Sequence, residues 1–160
     1  ATYHNDEGLN VQVYNRCIGT RFCANGCPYQ VRFFNFWEPE WPDSLKNQLN
    51  PDVTVRSRGV MEKCTFCVQR IRRSKREATA DGRELQDGDR ELSPACVNAC
   101  PTETLVFGDF KDPNSRVSRM RDKELADGGR GYSLLEGLGT HPSVVYLKKI
   151  DEQAKVETHD

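Results

Sequence analysis

Cys17-Ile-Gly-Thr20-Arg-Phe-Cys23-Ala-Asn-Gly-Cys27-Pro28 has a counterpart later in the chain, where Cys64-Thr-Phe-Cys67 is followed by Cys96-Val-Asn-Ala-Cys100-Pro101. Both groups end in Cys-x3-Cys-Pro, and together they hold all seven cysteines. An odd number cannot pair completely as disulfides, and Cys-x2-Cys is tight for a structural bridge. A tetrahedral four-sulfur zinc site could be drawn from Cys64, Cys67, Cys96 and Cys100. It would leave Cys17, Cys23 and Cys27 without a role and both Cys-Pro pairs unexplained. In the bacterial ferredoxin run C-x2-C-x2-C-x3-C-P, the fourth cysteine ligates the other of two clusters. Two such endings in one chain point to a pair of iron–sulfur clusters.

The cross-ligation rule assigns every thiol. Cys64, Cys67 and Cys96 join with Cys27 to give four thiolates, enough for one [4Fe–4S] cluster. Cys17 and Cys23 join with Cys100 to give three. Thr20 stands where a fourth cysteine would be, so the expected occupant of this second site is a [3Fe–4S] cluster. The competing reading is a full cube whose fourth iron takes the Thr20 oxygen or water. Pro28 and Pro101 suit the first turn of a helix. A helix is therefore predicted after each Cys-Pro pair, with its amide groups toward an anionic cluster. Gly19, Asn25, Gly26 and Asn98 are further cluster-adjacent positions whose backbone N–H groups are candidate donors to sulfur.

Around these motifs the sequence reads as α+β, a bacterial two-cluster ferredoxin-like repeat with long loop insertions and a mostly irregular C-terminal extension. Strands are predicted at Val11–Tyr14 and Val53–Val60, leading into the motifs, and at Gln30–Trp37 and Thr104–Phe107, leaving them. The ferredoxin-like domain is placed at residues 10–110. Its insertions are 38–52, rich in Pro and Asn, and 68–95, which opens as a basic helix and continues through turns at Ala80-Asp-Gly-Arg and Gln86–Arg90. Residues 111–160 read as a docking tail with an apolar patch at Tyr132–Leu135 and Val144–Leu147. Arg70, Arg72, Arg73, Lys75 and Arg76 read first as a solvated, electrostatic face beside the clusters and second as a partner surface. Phe33, Phe34, Phe36 and Trp37 read as core or interface packing. Gly128–Gly131 reads as a loop, and His4, His141 and His159 show no ligand pattern.

Composition narrows the rest. The chain has 160 residues with a formal net charge of −1, so bulk charge does not point to nucleic acid. Hydrophobic residues make up 36%, and mean hydropathy is −0.74. The apolar core is thus expected to be small, with metal binding supplying part of the folding free energy. No run is long enough to cross a bilayer, and no signal peptide is visible. The chain opens without methionine, which suggests a processed product or a piece of something longer. No nucleophile paired with a base is apparent.

Tyr14–Tyr29, Gly59–Cys67, Pro94–Pro101 and Leu138–Leu147 resemble the iron–sulfur B subunits of the complex iron–sulfur molybdoenzyme superfamily. The resemblance runs from about residue 10 to 150. Thr20, together with Asn50–Arg58, is most similar to the B subunit of Alternative Complex III, a quinol:electron-acceptor oxidoreductase. It implies an electron-transfer subunit relaying single electrons between a membrane quinol site and another redox centre in a respiratory or photosynthetic complex. The implied partners are a quinol-binding membrane subunit and a heme-c or molybdopterin-type subunit. The chain would associate peripherally with the membrane through them, on the periplasmic side. Iron–sulfur subunits of this type would hold one [3Fe–4S] and three [4Fe–4S] clusters. This chain offers ligands for two, so a fragment or a split subunit is expected. The alternative functions are wiring to a molybdopterin reductase of the polysulfide or tetrathionate type, and a zinc-stabilised interaction module.

Overall fold

Why the two cysteine groups come together is answered by one short strand pair in the computed structural model, which describes residues 1–87, 89 and 91–150. The strand leaving the first group, β3 (Phe33–Phe34), pairs antiparallel with the strand entering the second, β4 (Met61–Glu62), with Phe34 opposite Met61. Asn35 continues the ladder, its N–H donating to the Val60 carbonyl and its carbonyl accepting from Gly59. Its side-chain amide donates to the Arg56 and Ser57 carbonyls. That accounts for one departure from expectation. Val53–Gly59 is not a strand; the carbonyls of Arg56 and Ser57 bond to the Asn35 side chain instead of a neighbouring strand.

The chain divides into two units, Ala1–Pro101 and Thr102–Asp160. In the first, a hairpin of β1 (Thr2–His4) and β2 (Asn10–Gln12) precedes a 3₁₀ turn at Tyr14–Arg16. Single-turn helices α1 (Phe22–Asn25) and α4 (Ala95–Asn98) carry Cys23 and Cys96. Another short helix, α2 (Asp43–Lys46), interrupts the Pro-rich loop. The long helix α3 (Val68–Asp81) buries Val68, Ile71, Ser74 and Ala78. That spacing of three or four puts one stripe inward and leaves the basic residues outside. Arg73 reaches Glu77 and Asp52, and Lys75 reaches Glu7. Gly82 ends the helix at φ 65°, with the Arg83 N–H closing back on Ala78.

In the second unit, Ser115 caps α5 (Arg116–Leu125) by accepting the Ser118 N–H at 3.1 Å. The hydroxyls of both serines donate to the Asp109 carbonyl. Strands β5 (Gly131–Tyr132) and β6 (Tyr146–Leu147) pair antiparallel, with the Tyr132 and Tyr146 rings 5.7 Å apart. The predicted loop at Gly128–Gly131 therefore ends in a strand. Thr104–Phe107 is not a strand. The whole is α+β. His159 and part of the Gln86–Arg90 turn lie outside the described residues.

The apolar core is small, as the composition implied. Val11, Val60, Met61, Val68, Ile71, Ala78 and Pro94 are the buried apolar side chains among the described residues, and all lie in the first unit. Of the aromatic group, Phe34 is half-buried, while Phe33, Phe36 and Trp37 are exposed. Core packing therefore does not describe that group.

Candidate metal centre

All seven cysteines are free thiols in the first unit; Cys64 and Cys96 are exposed and the others half-buried. The two groups share a local structure that their spacing anticipates. Helices α1 and α4 each begin one residue before a cysteine and end at the asparagine two residues after it. Each closes with the same bonds: Gly26 N–H to Phe22 and Ala99 N–H to Ala95, then Cys27 N–H to Ala24 and Cys100 N–H to Val97. Three residues beyond each Cys-Pro cysteine, Gln30 and Glu103 both turn left-handed, at φ 53° and 51°.

Those turns overturn one expectation. A side chain in the left-handed region breaks a right-handed helix, so no helix follows Cys27-Pro28 or Cys100-Pro101. The helical turns lie before the proline instead. The N–H groups of Asn25, Gly26 and Asn98, expected to face sulfur, close on the carbonyls of Arg21, Phe22 and Pro94.

Other backbone amides point at the thiols. Met61 N–H donates to Cys17 Sγ at 3.4 Å, Phe66 N–H to Cys64 Sγ at 3.4 Å, and Ala95 N–H to Cys67 Sγ at 3.5 Å. Met61 belongs to β4, so the central strand pair holds Cys17 directly. Ala95 precedes Cys96, so its bond draws Cys67 to the α4 turn. Burial pushes the Cys27 thiol up, but the N–H groups of Val31, Tyr29 and Gln30 and the Arg32 side chain outweigh it, and the thiol lies below its ordinary value. Such donors favour the thiolate, the form that ligates metal.

The loop holding Thr20 is pinned from both sides. Gly19 sits at φ 74°, and a Cβ there would collide with the Gly59 carbonyl oxygen and press on Phe34. Only glycine allows this approach. Arg21, at φ 58°, lays its guanidinium 5.1 Å from the Phe34 ring centroid and 5.9 Å from that of Phe36. Thr20 is exposed between them. In the second group the strain falls on Phe66 and Cys67, at φ 53° and 51°. Left-handed side-chain-bearing residues cost on the order of 1–3 kcal/mol each and persist where the surroundings over-determine them. Here they flank the cysteines.

The donor set fits iron–sulfur clusters. Among the described residues, no three His, Cys, Asp or Glu side chains converge as the ligands of a single metal ion must. Each thiolate of a cluster binds a different iron, so cluster ligands need not meet at one point. The N–H···S bonds supply the support such thiolates need.

Two cations near the cysteines escape a reading by motif. Lys63 donates to the Cys64 carbonyl at 2.9 Å and to the Asn10 carbonyl. Burial, aided by the nearby Arg32 charge, holds its pKa below the ordinary lysine value, while the charges of Cys64 and Cys27 oppose that shift. Arg32 donates to Asn10 Oδ1 at 3.1 Å and to Thr2 Oγ1 at 3.4 Å. The one signal in the sequence is adjacency, since Lys63 precedes Cys64 and Arg32 follows Cys27 by five. Nothing local marks Asn10.

No protein-family model matches the chain. It is similar to the menaquinone reductase iron–sulfur cluster-binding subunit of Nitratidesulfovibrio vulgaris, at 46% identity over 93% of this chain and 57% of that protein. It is similar to the Hdr-like menaquinol oxidoreductase iron–sulfur subunit 1 of Archaeoglobus fulgidus, at 40% identity over 92% of this chain and 49% of that protein. The B subunit of tetrathionate reductase from Salmonella typhimurium matches at 30% identity over 92% of this chain and 43% of that protein. The chain thus spans about half the length of the curated relatives it matches. Nine-tenths of it aligns with these iron–sulfur and reductase subunits, and it belongs to the family of iron–sulfur subunits of menaquinol and molybdoenzyme oxidoreductases.

Proposed function

We propose that this chain is an electron-transfer subunit holding two unlike clusters on a two-cluster ferredoxin-like repeat at residues 10–110. Cys64, Cys67, Cys96 and Cys27 hold a [4Fe–4S] cluster; Cys17, Cys23 and Cys100 hold a [3Fe–4S] cluster, with Thr20 at the vacant ligand position. The observation carrying this reading is the matched pair of cysteine-bearing turns, α1 and α4, in a unit where backbone amides reach the thiols.

When bound, each cluster takes up or releases one electron at a time. The protein's residues hold the thiolates and donate N–H groups to sulfur. A membrane quinol is the proposed electron source, supported by the two relatives named for menaquinone and menaquinol. The similarity to Alternative Complex III at Thr20 and Asn50–Arg58 favours a subunit of that kind. Among the described residues no helix is long and apolar enough to cross a membrane. The chain is accordingly proposed to meet the membrane through partner subunits, on the periplasmic side, with residues 111–160 as its docking segment. The tetrathionate reductase relative supports a second reading, in which a molybdopterin subunit is the redox partner.

The test is iron and acid-labile sulfide analysis with low-temperature EPR of the oxidised protein. Seven iron atoms per chain are expected, four and three by this assignment, with an oxidised-state [3Fe–4S] signal. A colourless protein containing zinc and no sulfide overturns the reading.

A further inference from the structure

The β1–β2 hairpin is joined to the cysteine region by three cations from three different segments. Arg32, from the loop after Cys27, donates to Thr2 Oγ1 and Asn10 Oδ1. Lys63, on the residue before Cys64, donates to the Asn10 carbonyl. Lys75, on α3 after Cys67, pairs with Glu7. The hairpin buries Val11 and thereby acts as a bracket across the segments that bear Cys27, Cys64 and Cys67. Its residue Asn10 takes Arg32 on its side chain and Lys63 on its backbone, so two like charges are held together at one point. Left free, those charges would repel and turn to solvent. Arg32 lies five residues after Cys27, and Lys63 bonds the Cys64 carbonyl at 2.9 Å.

We propose that Arg32 and Lys63, pinned by Asn10 and Thr2 of the N-terminal hairpin, are charge-setting residues that raise the reduction potential of the four-thiolate cluster at its Cys27–Cys64 edge. This rests on the proposed assignment of Cys27 and Cys64 to one cluster. One-electron reduction adds one negative charge there, with no bond broken and no proton required. The electron comes from the donor, dithionite in the test below. Two fixed cations stabilise the reduced form more than the oxidised one, because their attraction grows with the added charge. Half-burial of both side chains limits screening by water and salt. Asn10 is a positioning residue in this scheme, acting through the cations it holds.

The test is a dithionite potentiometric titration of the intact complex followed by EPR, comparing the native protein with Lys63→Met, Lys63→Arg, Arg32→Gln and Asn10→Ala. Lys63→Met and Arg32→Gln are each expected to lower the midpoint of the four-thiolate cluster, with about a tenfold fall in the reduced-to-oxidised ratio at fixed potential, or about 59 mV for one electron. Lys63→Arg retains the native midpoint, and Asn10→Ala shifts it in the same downward direction. The three-thiolate site moves less in every case. Unshifted midpoints with full cluster content overturn the proposal, as do equal shifts at both sites. Should Lys63→Met not load, Arg32→Gln carries the same test. Failure of both to load, together with Lys63→Arg, overturns it in favour of a purely structural role. Native protein without a reduced-cluster signal defeats the cluster assignment itself, an outcome separate from unshifted variants.

Discussion

On the proposed assignment Thr20 decides between two kinds of electron carrier, and its surroundings make the decision testable. Gly19 and Arg21 fix the backbone on either side of it, one by close approach to Gly59 and the other by stacking over Phe34. A side chain at position 20 therefore starts from a constrained Cα. Its hydroxyl resists deprotonation and is a poor iron ligand, whereas a thiolate in the same place completes a four-thiolate set. Thr20→Cys is expected to abolish the oxidised-state [3Fe–4S] EPR signal, raise iron to eight per chain on the proposed assignment, and lower the potential of that site. A signal of native size in the variant rejects the vacancy argument. The proposed ligand set and Thr20 can be put forward from the sequence because ligation chemistry restricts residue type and spacing. The amides that reach sulfur cannot. Met61, Phe66 and Ala95 donate through groups every non-proline residue possesses, so nothing in their identity announces the role.

Among the elements, α3 was the most readable, since a basic face opposite Val68, Ile71, Ser74 and Ala78 is a periodic signal over fourteen residues. Two-residue strands carry no such period, and β3–β4 is recognisable only through its partner. The misplaced helices have a comparable cause. Cys-Pro is compatible with a helix start, but Gln30 and Glu103 turn left-handed just beyond it, and neither side chain advertises that conformation. Helix α3 begins at strained Cys67 and is anchored by a narrow stripe, so its packing bears directly on the second cysteine group. Ile71, only 5% exposed, is the centre of that stripe. Ile71→Ala is expected to cost about 2–5 kcal/mol, the range for truncating a buried isoleucine. Denaturant unfolding of the loaded protein measures the loss, and faster release of iron to a chelator should accompany it. A variant with unchanged unfolding and unchanged iron release would show that α3 does not hold Cys67 in place.

Among the described residues, buried apolar side chains are few and confined to the first unit, while the second buries Ser115 and Ser118. So small a core leaves room for a further source of stability. On the proposed assignment thiolate–iron bonds supply one, because ligand binding to the folded state is folding free energy. The two units should therefore respond differently to loss of metal. Ser115, Ser118 and Asp109, and the β5–β6 pair, are tied by hydrogen bonds that involve no cysteine. Removing iron under anaerobic chelation is expected to abolish amide-exchange protection at α3, α4 and the β3–β4 pair, while protection at α5 and β5–β6 falls much less. Hydrogen exchange read peptide by peptide separates the units without needing them to unfold at different temperatures. Retained protection at β3–β4 in the iron-free protein would mean that the strand pair and α3 fold unaided, and the small core would then need another source of stability.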